Sequence, residues 1–288
     1  MADYAPGAMR DKVVVITGAT SGIGAVAADL LAQKGARIVF VARDRDRGEK
    51  LRRHLRAVAA HADHAPHYAD LTRLSDMQRV AEEIAAAEAH IDVLINNAGA
   101  MFTHRKLTED GLERTFALNH LSYFVLTNLL LERLKATPGA RIVSTASDAH
   151  KGARLNFDDL QSSHGYMGFS VYSRSKLMNI LFTRELARRL AGTGVTANCL
   201  HPGFVASRFG DESGGLMSLA VRAAKLFAIT PEQGAETIVY LASSPEVEGK
   251  SGGYYYKCRP DTPSRAAQND MDARRLWDVC AKLSGVGF

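Results

Sequence analysis

The sequence predicts a doubly wound α/β domain on a parallel sheet of about seven strands. Two observations predict it. Short β-branched runs alternate with longer amphipathic stretches along most of the chain, an order that closes most simply as strands joined by crossover helices. Most of the short runs are also apolar throughout, whereas a strand with one wet face alternates. Continuous apolar runs mark strands buried on both sides.

Strands are expected at Lys12–Thr17, Ala36–Ala42, His67–Ala69, Ile91–Ile95, Ala140–Ala146, Val195–Leu200 and Gly253–Tyr256. The first helix, Gly22–Lys34, carries Val26, Leu30 and Leu31 at helical spacing, and Gly35 stops it. Ser75–Glu88 opens on a serine suited to capping, and Ser170–Leu190 is a long amphipathic run ended by Gly192. No repeat, low-complexity tract or Pro/Gly-rich linker divides the chain. Residues 1–288 are therefore expected to form one domain, with a core over about 10–260, a lid over about 204–230 and a C-terminal tail over 260–288.

Apolar residues make up 46% and charged residues 23% of the 288, which excludes a disordered or collagen-like chain. At this length folding buries roughly three quarters of the extended surface, so a core needs no disulfides. The three cysteines (Cys199, Cys258, Cys280) are widely spaced and odd in number, which suits a reducing compartment and a cytoplasmic location. The opening residues show no apolar signal region, and no apolar run approaches the ~18 residues of a transmembrane helix. A net charge of +5 suggests nucleic acid at first sight. No nucleic-acid recognition motif accompanies it, and much of the surplus sits in one stretch: Arg43, Arg45, Arg47, Lys50, Arg52, Arg53 and Arg56.

The first strand runs straight into Thr17-Gly18-Ala19-Thr20-Ser21-Gly22-Ile23-Gly24. Glycines there permit a tight turn and close approach of backbone to a pyrophosphate, which then faces the N–H groups and dipole of the next helix. That is the Rossmann-type arrangement, with Gly18, Ser21, Gly22, Ile23 and Gly24 as candidate cofactor-binding residues. The second strand ends in Ala42-Arg43 with no acid at its tip, and Asp44 and Asp46 follow only once the chain has turned. An acid would bind a ribose 2′-hydroxyl and a base a 2′-phosphate, so Arg43 favours NADP(H) over NAD(H). The competing reading leaves Arg43 on the solvated face of a charged helix.

Tyr172 and Lys176 lie four residues apart on the long amphipathic run and so share one helix face. A free tyrosine, with a pKa near 10, is a poor acid–base group at neutral pH. A lysine cation beside it favours the phenolate and is expected to lower that pKa. Asn96-Asn97-Ala98-Gly99, Ser147 and His201-Pro202-Gly203 stand at or just beyond the ends of other strands, along the carboxyl edge where ligands bind, with Asn119 in the helix after the fourth.

Together these motifs make residues 10–260 resemble the short-chain dehydrogenase/reductase family. The Arg-Asp pair after the second strand, Leu118-Asn119-His120-Leu121, the segment Asn156-Phe157-Asp158-Asp159-Leu160 and Ser175-Lys176-Leu177-Met178-Asn179 are similar to its retinol dehydrogenase-like branch, as are Ser251-Gly252-Gly253-Tyr254-Tyr255 and the tail Ala273-Arg274-Arg275-Leu276-Trp277. The resemblance implies an alcohol–carbonyl oxidoreductase with a catalytic tetrad. Tyr172 would exchange a proton with the substrate oxygen, and Ser147 would position that oxygen. Lys176 would bind the nicotinamide ribose, and Asn119 would hold a water in a proton relay. It also implies that Asp70 contacts adenine, with Leu71 beside it among the cofactor-binding residues, that Asn97, Ala98 and Gly99 line the adenosine and ribose, and that Pro202, Gly203 and Val205 flank the nicotinamide. A homodimer or homotetramer is expected on the same ground, with the tail over 260–288 as a candidate cover for an oligomer surface.

Substrate contacts are expected from Met101, Phe102, His150, Met167, Phe169 and Phe204, and from the apolar segment 214–229. That segment reads as a lid over a lipophilic alcohol or carbonyl, with a core helix or a membrane-surface helix as its rivals. His61, His64 and His67 surround Pro66 and are not expected to bind metal, and Cys199 reads as a packing residue. The alternative from another class is a nucleotide-sensing regulator without catalysis, against which the complete Tyr–Lys pair argues.

Overall fold

The structure, a computed structural model, describes residues 8–204 and 229–287. Val205 and the expected lid segment from 214 through 228 lie outside the described residues. In chain order the elements are β1 (Val13–Thr17), α1 (Gly22–Gln33), β2 (Arg37–Ala42), α2 (Arg45–Val58), β3 (Ala65–Tyr68), α3 (Leu74–Ala87) and β4 (Val93–Asn96). Then come α4 (Arg114–Phe116), a π-helical turn (Ala117–Leu121), α5 (Ser122–Leu129), α6 (Leu131–Lys135), β5 (Arg141–Thr145), α7 (Gly168–Arg189) and β6 (Thr196–Leu200). The last are α8 (Pro231–Ser243), β7 (Tyr254–Tyr256), β8 (Arg259–Asp261) and α9 (Asp270–Ser284).

The strands form one sheet in the order β3-β2-β1-β4-β5-β6-β7-β8. All neighbours pair in parallel except β7 and β8. The seven expected strands are there, and an eighth adds an antiparallel edge. Lys257 and Cys258 join β7 to β8, both with positive φ (48° and 59°), as a two-residue hairpin with the strand twist requires. Strand order reverses between β1 and β4, which opens a crevice at their carboxyl ends.

Burial explains the apolar runs. Val13 and Val15 of β1 enter one core with Val39, Val41, Leu94, Ile142 and Ala197, while Val14 and Ile16 enter the other with Ile38, Phe40, Ile95 and Val143. Helices α1, α2 and α8 cover the second face, and α3, α5, α7 and α9 cover the first. The strand expected at His67–Ala69 begins two residues earlier, with Pro66 on the edge strand where a missing N–H costs little.

One expectation is corrected. Ser75 does not cap α3; the cap position is Arg73, and Asp110 Oδ2 accepts the first helical N–H, of Leu74, at 2.8 Å. A distant carboxylate thus takes the task that local sequence assigned to a serine. The tail is docked on its own domain: Trp277 of α9 lies 97% buried, stacked on Phe182 at 5.8 Å and edge-on to Phe124 at 4.9 Å. The apolar face that carries Trp277 is therefore spent within the chain. Among the described residues no helix is long and apolar enough to cross a membrane.

Candidate active site

The crevice is built first from glycine. Gly18 has φ +69°, and a Cβ there would meet Ala98 Cα at 2.8 Å. A Cβ on Gly24 would sit 2.3 Å from the Gly18 carbonyl oxygen, so α1 can pack on the turn only without a side chain. Ser21 at the start of α1 makes no side-chain cap, and the first turn holds no acid. The positive helix end therefore faces the crevice uncompensated, which fits a pyrophosphate. Thr17 and Asn97 brace the turn from behind. Thr17 Oγ1 accepts from the N–H groups of Asn97 and Ala98, both at 3.0 Å, and Asn97 Nδ2 donates to Thr17 O at 3.1 Å. The Asn97 side chain, expected along the adenosine, is thus occupied in holding β1 to β4.

Asn119 sits in the π-helical turn and is fully buried. Its Oδ1 accepts from Ala100 N and its Nδ2 donates to Ala100 O, both at 2.9 Å, with a further bond to Ser175 Oγ at 3.0 Å. A widened turn of this type recurs at functional positions. Helix α7 places Tyr172 and Lys176 one turn apart, with Lys176 Nζ 5.6 Å from the Tyr172 ring centroid. Lys176 Nζ donates to Thr145 O at 2.9 Å. The Tyr172 hydroxyl shares a hydrogen bond with the Ser147 side chain. Ser147 Oγ already accepts from Ala149 N at 3.2 Å, so its proton is left to donate elsewhere. Gly99 closes the group: a Cβ there would lie 3.3 Å from Asn119 Oδ1 and 3.5 Å from Lys176 Nζ.

A family model described as short chain dehydrogenase matches residues 12–214. The chain belongs to the short-chain dehydrogenase family. It is 43% identical to human retinol dehydrogenase 14, across 98% of this chain and 88% of that protein. With mouse retinol dehydrogenase 12 it shares 42% identity, across 96% and 87%. A solved structure of an uncharacterised protein from Mycobacterium paratuberculosis aligns with a TM-score of 0.79 at 35% identity, covering 100% of this chain and 97% of that one. A short-chain dehydrogenase from Burkholderia cenocepacia, solved with NADP, aligns at 0.69 and 25% identity, covering 85% and 96%. The chain is an NAD(P)-dependent oxidoreductase acting on CH–OH groups, and alcohol–aldehyde oxidoreduction is its reaction class.

Electrostatics in this dehydrogenase site depart from the sequence reading. Lys176 was expected to lower the Tyr172 pKa. Burial instead pushes the Tyr172 hydroxyl up to about 12, partly opposed by Ser147, and pushes Lys176 down to about 7. Both groups are driven toward their neutral forms because desolvation penalises each charge. Asp70 accepts from Thr72 N at 3.0 Å and Thr72 Oγ1 at 2.9 Å, beside buried Leu71. Gly203, at φ +89°, follows Pro202 and donates its N–H to His201 Nδ1 at 3.2 Å. His150 is buried, its Nδ1 2.7 Å from Ser147 O and its Nε2 accepting from Ser264 N at 3.0 Å. It steadies the Ser147 loop from below and does not face outward as a substrate contact. His64 accepts from Ile38 N at 3.0 Å, and His61 and His67 bond to Gly35 O and Glu83 separately. Sequence reasoning missed Thr17, Thr145, Ser175 and Asn179, all of which hold the site in place.

Proposed function

We propose that the chain interconverts a lipophilic alcohol and its aldehyde or ketone, with NADP(H) preferred over NAD(H) and Tyr172 as acid–base group. The convergence of Tyr172, Ser147, Lys176 and Asn119 beside the glycine turn carries this reading. When bound, the dinucleotide takes up or supplies the hydride. Gly18, Ser21, Gly22, Ile23 and Gly24 would hold its pyrophosphate, Asp70 and Leu71 its adenine, Asn97 to Gly99 its adenosine and ribose, and Pro202, Gly203 and Val205 its nicotinamide. Tyr172 passes a proton to or from the substrate oxygen. Ser147 would donate to that same oxygen, since the bond from Ala149 N occupies a lone pair and leaves the hydroxyl proton available. Lys176, held toward its neutral form by burial, would hydrogen-bond the nicotinamide ribose beside Tyr172, and the hydrogen bond from Ser147 is what opposes the burial that disfavours the phenolate.

Support for NADP(H) comes from the tip of β2. Arg43 is exposed there and forms no ion pair among the described residues. The acid after it is engaged: Asp44 caps α2, its Oδ1 accepting Arg47 N at 2.9 Å. Titration with NADPH and NADH should show tighter NADPH binding that Arg43→Glu abolishes. Equal affinities would contradict the assignment.

Support for a lipophilic substrate comes from Met167, Phe169 and Phe204, which are 68%, 61% and 54% exposed at the carboxyl edge. Large apolar groups left in the open, two of them two residues apart at the start of α7, fit a binding surface. The Phe102 loop adjoins them, since a Cβ on Gly168 would meet Phe102 O at 2.4 Å. kcat/KM should rise along a series of alcohols of growing chain length. A flat series would refute the lipophilic assignment.

A further inference from the structure

Asn179 lies three residues beyond Lys176 and seven beyond Tyr172 on α7, on the same side of the helix. It is fully buried, and the proposed chemistry does not use it. Its Nδ2 donates to two backbone carbonyls, Asn119 O at 3.0 Å and Thr145 O at 3.3 Å. The first belongs to the π-turn residue of the site. The second is the carbonyl on which Lys176 Nζ rests at 2.9 Å. One side-chain amide therefore ties the seats of both residues together.

The polarity of this network is determined by its ends. Carbonyls only accept, so Asn179 must turn its nitrogen toward them and its Oδ1 away, where His120 Nδ1 lies at 3.0 Å. Oδ1 also only accepts, so His120 must carry its proton on Nδ1. The imidazole is packed between Phe116 and Phe182, and burial lowers its pKa to about 4, so it is neutral and Nε2 is a bare acceptor. Facing Nε2 at 3.4 Å is Cys280 Sγ of α9, whose thiol burial keeps protonated. Hydrogen-bond donation runs one way, from Cys280 through His120 and Asn179 to the two carbonyls.

We propose that Asn179 is a positioning residue that sets Asn119 and Lys176 in their working geometry, with its amide orientation imposed through His120 by Cys280 of the C-terminal helix. This rests on Tyr172 and Lys176 being the working pair. Misplacing a catalytic group by about 1 Å costs on the order of 100-fold in rate, so two carbonyls held by one amide are a sensitive point.

Asn179→Ala should lower kcat about 10- to 100-fold, leave cofactor affinity within about threefold of the parent, and move the limb of the kcat–pH profile that belongs to Tyr172 and Lys176. An unchanged kcat, or a loss that follows cofactor affinity with the pH profile intact, would overturn the proposal. Cys280→Ala is a milder perturbation at the far end, and should lower kcat about threefold or more, with Cys280→Ser restoring it. Equal turnover of Cys280→Ala, Cys280→Ser and the parent would overturn the link to α9. Nitrogen-15 NMR of His120 in the unsubstituted protein should find the proton on Nδ1 at neutral pH. A proton on Nε2 would reverse the network and end the proposal. That readout needs no turnover, so its failure is distinct from failure of the Tyr172–Lys176 reading, which retained activity in Tyr172→Phe would reveal.

Discussion

Gly24→Ala tests whether the glycine turn is a close-packed cradle. The added methyl would lie 2.3 Å from the Gly18 carbonyl oxygen and 2.4 Å from Asn97 Nδ2. Carbon and oxygen tolerate about 3.3 Å, so the turn must retreat by about 1 Å. The obstructing oxygen is backbone and cannot rotate aside. Asn97 is tied to Thr17 O and Gly18 O at 3.1 and 3.3 Å, so it cannot yield without breaking those bonds. Overpacking of this kind costs about 1–3 kcal/mol. For a chain of 288 residues the unfolding entropy is roughly 0.6 kcal/mol/K, so about 2 kcal/mol lowers Tm by about 3 °C. Displacement of the turn also moves the α1 N-terminus away from the pyrophosphate, and NADP(H) affinity should fall by at least tenfold, or about 1.4 kcal/mol. Calorimetry and cofactor titration of the variant measure the two effects. Unchanged Tm together with unchanged affinity would refute the close-packing argument.

Three further outcomes follow. Trp277→Ala removes a ring stacked on Phe182 and buried to 97%, and should cost about 3–5 kcal/mol in urea denaturation; a neutral effect would mean that the tail is not part of the core. Lys176 has its pKa lowered from 10.5 to about 7 by burial, so between those values the unfolded chain binds the proton and the folded one does not. Stability therefore rises with pH through that window, by up to about 1.4 kcal/mol per unit; Lys176→Met should be more stable than the parent near neutral pH, with the gap closing as pH climbs, and a gap independent of pH would contradict the buried charge. The imidazoles of His120, His150 and His201 are likewise held below 6.5 by burial, so the parent should lose stability as pH falls through their unfolded values, read from urea midpoints at graded acid pH.

What the sequence made legible was whatever is written locally. Val13–Thr17 and its parallel neighbours are apolar because both faces of each strand enter a core, and that double burial leaves an unbroken apolar run. Gly18 and Gly24 were readable because the backbone there admits no side chain, and Tyr172 with Lys176 because their spacing is a helical turn. The rest depends on distant partners. Helix α3 starts at Leu74, ahead of Ser75, where Asp110 reaches across to accept the Leu74 N–H. The β7–β8 hairpin was invisible because Lys257-Cys258 adopts left-handed backbone without the usual Asn-Gly signature. Asn179 and Thr145 looked like ordinary polar residues until the fold brought them to Asn119 and Lys176. The tyrosine pKa was misjudged for the same reason, since spacing reveals the lysine but not the desolvation of both groups.

Tyr172→Phe removes one oxygen from the centre of the site and leaves the glycine turn untouched. Steady-state turnover of this variant, measured beside its NADP(H) dissociation constant, tests the proposed chemistry most directly. The account predicts loss of turnover by at least about 100-fold, with cofactor affinity within about threefold of the parent. Turnover close to that of the parent would contradict it.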